Sequence, residues 1–164
     1  MTEDDAWREG RFEGLEAFRQ AVRSAVCRAA DEGWPSMLWC DPDFRDWPLA
    51  EQSVCADLQR WALQGGQLRM MAADFRHVQS AQHRFVVWRR QWDHRFQARA
   101  TGRQKHAQTP CHLLAPGAAL WRADPVHGGF VISADTGLRA RWQEQLESLW
   151  QQAAVAFPAS TLGL

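Results

Sequence analysis

The chain has 164 residues, a formal net charge of zero at neutral pH, and 46% apolar against 23% charged residues. That length suits one domain with a real core, and the composition argues against both global disorder and a membrane class. The apolar runs are only a few residues long and the opening MTEDDAWREG is acidic, so neither a signal peptide nor a spanning helix is expected, and the expected location is cytoplasmic.

Residues 1–10 read as a flexible acidic N-terminus, with Glu3, Asp4, Asp5 and Glu9. From Arg11 to Asp31, Phe12, Leu15, Phe18, Val22, Val26 and Ala29 recur at three and four, which predicts a helix with one buried face. The short apolar run Ser36–Cys40 follows Gly33-Trp34-Pro35 and predicts a buried strand. A second helix is expected after an Asp46 cap, with Pro48 in its first turn, Val54, Leu58 and Trp61 inward and Gly65-Gly66 as its stop. Gln67–Ala72 is the next strand. A third helix is expected from about Ser80 to Ala100 on the spacing of Phe85, Trp88, Trp92 and Phe96. After a polar loop, strands are expected at Cys111–Ala115, Ala118–Ala123 and Gly129–Ser133, the last two as a hairpin. Asp135 then caps a final helix with Leu138, Trp142, Leu146, Leu149 and Ala153 inward, and residues 159–164 form a tail.

This order predicts an α/β fold for residues 11–158: three layers, a mixed and mostly parallel sheet, and helices on both faces. A right-handed crossover makes the first two strands parallel neighbours, so Asp41 and Asp74, just after them, fall on the edge where ligands sit in open α/β sheets. Arg84 to His106 holds seven of the nineteen Lys and Arg residues. On a helical projection Arg89 and Arg99 lie on the packing side and Arg90 points outward. A buried guanidinium needs a carboxylate, and Asp41 or Asp74 is the expected partner. Three readings stay open: a structural pairing of helix to sheet, an anion pocket in which Arg89, Arg99 and His94 face a ligand and Asp41 and Asp74 hold them, or a nucleic-acid surface of arginines interleaved with Trp88, Trp92 and Phe96.

No metal site is expected, because Cys27, Cys40, Cys55 and Cys111 show no C-x-x-C pair and the histidines no zinc spacing. No cofactor is implied. Zero net charge and the core-like spacing of the aromatics tell against a nucleic-acid partner.

The element order and the ending AALWRADPVHGGFVISADTGLRARW resemble one half of the phospholipase D-like superfamily. There a hairpin carries H-x-K-x4-D and its second strand runs through a segment like Val131-Ile132-Ser133-Ala134-Asp135 into a capped helix. At the family's spacing the histidine, lysine and aspartate would fall at Ala118, Leu120 and about Pro125, and none matches. The sole lysine, Lys105, lies outside the hairpin, with Arg103 two residues before it. The resemblance therefore implies phospholipase D-like topology with a degenerate site: a non-catalytic domain binding an anionic small molecule or a protein partner, with a homodimer formed along the edge bearing Ser133. The alternatives are an enzyme using Asp41, Asp74 and His94 in acid–base chemistry, and a nucleic-acid-binding module.

Overall fold

A computed structural model describes residues 5–124, 126 and 128–159. The strands are β1 Gly10–Glu13, β2 Ser36–Cys40, β3 Gln67–Ala72, β4 Phe96–Ala100, β5 Cys111–Ala115, β6 Ala118–Asp124, β7 Gly129–Ser133 and β8 Ala154–Val155. The helices are α1 Leu15–Glu32, α2 Gln52–Leu63, α3 Arg76–Ala81, α4 His83–Gln91 and α5 Thr136–Gln152. All eight strands join one mixed sheet in the order β1-β7-β6-β5-β2-β3-β4-β8.

The sheet is mixed but not mostly parallel. Only β2–β3 and β3–β4 pair in parallel, and the other pairings between described strands are antiparallel. The antiparallel pairings come from β5, β6 and β7, which follow one another as a meander beside β2, and from β1 and β8 at the two edges. The third long helix is not one helix either. It breaks at Trp92, where φ is −112° and ψ is 39°, passes through a single 3-10 turn at Asp93–Arg95, and becomes β4. Phe96 and Ala98 face the core while Gln97 is exposed, the period of two of a strand. The second helix also begins later than its expected Asp46 cap, which pairs instead with Arg122 at 2.9 Å.

The first helix likewise loses its start. Gly14, at φ 101°, ends β1, and β1 pairs antiparallel with β7 from Gly10↔Ile132 to Glu13↔Gly129. The Ser133 edge expected to carry a homodimer is thus covered by the chain's own β1. Within the expected flexible N-terminus, residues 1–4 lie outside the described residues, and Trp7 is buried beside Trp34. Residues 160–164 of the expected tail also lie outside them.

Helices lie on both faces, unequally. α1, α2 and α4 share one large core with the sheet, centred on Phe18, Trp39, Trp61 and Phe85. Where α2 ends, a Cβ on Gly66 would lie 2.2 Å from the ring of Trp61, which is locked by its Nε1 donating to Trp34 O at 2.7 Å. α5 alone packs on the other face, over Leu38, Cys40, Met71 and Leu114, and is capped by Asp135 accepting from Leu138 N at 2.8 Å. Among the described residues no helix is long and apolar enough to cross a membrane.

Candidate nucleic-acid interface

Asp41 and Asp74 do reach the carboxyl ends of neighbouring parallel strands. Backbone bonds stitch that edge together: Asp41 N to Met71 O at 3.1 Å, Ala73 N to Pro42 O at 2.9 Å and Gly102 N to Ala73 O at 3.0 Å. Asp41 turns inward, and its Oδ2 accepts from Phe44 N at 2.7 Å and Asp43 N at 3.1 Å. Phe44 has a left-handed φ of 59°, so the carboxylate fixes a turn that a phenylalanine adopts at a cost. Burial raises the Asp41 pKa, and the Cys111 thiol and these two amides partly oppose the rise. Asp74 accepts from Arg76 N at 3.0 Å and has the Arg76 guanidinium 3.7 Å away.

Neither aspartate meets the expected arginines. Arg89 is buried and donates to Phe157 O at 2.8 Å and to Asp93 Oδ1 at 2.7 Å, with its guanidinium over the rings of Phe96 and Phe157. Arg99 belongs to β4 rather than to a helix, donates to Trp150 O at 2.7 Å, and lies over the Trp150 ring. Exposed His94 lies against Trp92 just before the start of β4, the two rings tilted at 40° with centroids 5.7 Å apart. Because β4 runs parallel to β2 and β3, His94 sits at the opposite end of the strands from Asp41 and Asp74, roughly 15 Å away at strand rise. The expected pocket of Arg89, Arg99, His94, Asp41 and Asp74 is therefore not assembled. The acid–base alternative loses its imidazole by the same geometry.

A different site arises from the unequal covering of the sheet. Eight strands span roughly 34 Å, whereas a helix with its side chains is about 10 Å wide. One helix cannot cover that face. Strand register lines up a single row across it: Arg11, Val131, Trp121, His112, Cys40, Met71, Arg99 and Val155. α5 covers the middle of the row, with Trp142 against His112 at 5.3 Å and Trp150 over Arg99. On the β1 side of α5 the row stays open, and Trp121 is 39% exposed.

The opening is a groove of about 470 Å³ between β1, β6 and β7 on one side and α5 on the other. Trp121 and Val131 form its floor, Leu138 and Trp142 its apolar wall, and Arg11 and Arg141 its rims. Trp121 and Trp142 have their ring centroids 6.1 Å apart. Neither Arg11 nor Arg141 has a carboxylate partner among the described residues. Glu13 and Asp124 line the adjoining hollow toward the β6–β7 turn, so the anionic end of the face lies away from Arg141.

Trp121 points out because its neighbour points in. Arg122 is buried, with its guanidinium over the ring of Phe18 and an ion pair to Asp46, and alternation along β6 then turns Trp121 to the open face. Sequence reasoning did not single out this groove, because a strand reading Leu-Trp-Arg-Ala ordinarily buries its tryptophan and exposes its arginine.

No family model matches the chain, and no curated protein does. Among solved structures it is similar to TrmBL2, described as an archaeal chromatin protein with a novel mode of DNA binding. The TM-score is 0.65 at 12% identity, over 90% of this chain and 53% of that one. The likeness is one of fold, and the chain spans about half the length of that neighbour. The expectation against a nucleic-acid partner, which rested on net charge and aromatic spacing, does not hold as an exclusion: this fold occurs in a protein described as binding DNA, and zero overall charge is compatible with local cationic groups.

Proposed function

We propose that this chain is a non-catalytic nucleic-acid-binding module that binds along the open part of its sheet. The observation that carries the reading is the groove between β1, β6, β7 and α5, where Trp121 is exposed between two arginines that have no carboxylate partner among the described residues. Unpaired arginines beside an exposed aromatic are what phosphate attraction and base contact require together. Fold likeness to an archaeal chromatin protein supports it, and phospholipase D-like descent with a lost H-x-K-x4-D remains part of the proposal. β6 and β7 pair antiparallel and β7 leads into the Asp135-capped α5, an order compatible with that part of the proposal.

Fluorescence anisotropy with labelled oligonucleotides tests the reading. Saturable binding is expected, weakening with salt at a log–log slope of about −1.4 to −1.8 for two phosphate contacts. Arg11→Glu with Arg141→Glu should lower affinity at least about tenfold, since each reversal replaces attraction by repulsion. Arg90→Glu, on the exposed face of α4, should leave affinity nearly unchanged. No saturable binding, or equal losses from both variants, would contradict the proposal.

A further inference from the structure

The geometry points to single-stranded rather than duplex nucleic acid as the ligand of this groove, with one unpaired base stacked on Trp121; the inference rests on the proposed function above. Stacking needs an exposed base face, and a duplex covers both faces of each base with its neighbours. Trp121 offers the matching surface, 39% exposed on a rigid strand, with Trp142 fixed behind it. A base entering from solvent would be held on one side by Trp121 and flanked by Leu138 and Val131, within a volume suited to a small ligand.

The electrostatics lead to the same ligand. Duplex binding by phosphate contact alone commonly uses about six to ten cations, and this groove presents Arg11 and Arg141. Two contacts suit a strand whose remaining affinity comes from stacking. Among the described residues the helix on this face, α5, lies packed against the sheet through Trp142, Leu146 and Trp150, so it presents no free helix to a major groove. Glu13, two residues from Arg11 along β1, puts negative charge toward the β6–β7 end, which favours phosphates passing on the Arg141 side of Arg11 with bases turned toward Trp121.

The test compares three ligands of equal length, an oligothymidylate, a strand with abasic sites and a duplex, and repeats the two single strands with Trp121→Ala and Trp121→Phe protein. Each variant is first checked for native stability by urea unfolding. The expected result is tighter binding of the base-bearing strand than of the duplex or abasic strand. Trp121→Ala should lower the base-bearing affinity about 5- to 100-fold and leave abasic affinity unchanged, while Trp121→Phe retains most of it. If Trp121→Ala misfolds, the comparison of base-bearing with abasic strand on the native protein decides alone. Equal binding of duplex and single strand, insensitive to bases but still lost with Arg11→Glu and Arg141→Glu, would overturn the stacking inference and leave the nucleic-acid reading standing. No binding of any of the ligands would overturn both.

Discussion

Arg89→Ala should destabilise the fold by about 2–4 kcal/mol, whereas Arg90→Ala, one position along, should change stability by less than about 0.5 kcal/mol. The cost does not come from an orphaned aspartate. Asp93, the ionic partner, has a 65% exposed side chain and regains water when Arg89 is cut away. It comes from the inner end: the Phe157 carbonyl loses its donor, and the guanidinium leaves a gap against Phe96 and Phe157. Phe157 is itself buried among Phe75, Phe85 and Phe96, so the latch ties the segment after β8 to the main core. Arg89→Met, which restores volume but no donor, should recover part of the loss. Chemical denaturation of the three variants measures this, and a loss at Arg90 as large as at Arg89 would refute it.

The second large effect is a dependence on pH centred on His112. Its Nδ1 meets Leu120 O at 3.2 Å, which assigns the hydrogen to Nδ1, and Nε2 is buried without a partner among the described residues. A second proton would place a charge beside Trp142 with no acceptor, and burial pushes the pKa down from 6.5 to about 4. The unfolded chain takes up that proton first. Stability is therefore full above about pH 6.5 and falls as pH drops toward 4, by about 3 kcal/mol in total. Asp41 works in the opposite sense, because its raised pKa favours the folded state as acid protonates it. The clean measurement is the difference between the profiles of the native protein and His112→Leu. A difference that grows between pH 6.5 and 4 is expected, and a flat one would contradict the buried neutral imidazole.

These two residues also show where the sequence was and was not legible. Ser36–Cys40, Gln67–Ala72, Cys111–Ala115 and Gly129–Ser133 are strands at the expected bounds, because short apolar runs between turn residues leave little else to form. The arginine-rich segment misled because Trp88, Trp92 and Phe96 continue a helical spacing through a break that only Asp93-His94 and the alternation of Phe96, Ala98 and Ala100 betray. Reading it as one helix placed Arg89 and Arg99 side by side, when they lie on different elements with different partners. β1 was hidden because Phe12 fits the apolar face of α1, although Gly10 and Gly14 bracket a separate segment. The groove was least legible of all. Its exposure of Trp121 depends on Arg122 finding Asp46 and Phe18 across more than seventy residues, a long-range pairing with no local signal.

The central claim is that nucleic acid lies along the uncovered part of the sheet, and hydrogen–deuterium exchange with a saturating single-stranded oligonucleotide tests it most directly. Slowed exchange is predicted in β1, β6, β7 and the first half of α5, with α4 and the loops after β2 and β4 unchanged. Protection confined to α4 or to those loops, with the groove strands exchanging as in the free protein, would contradict it.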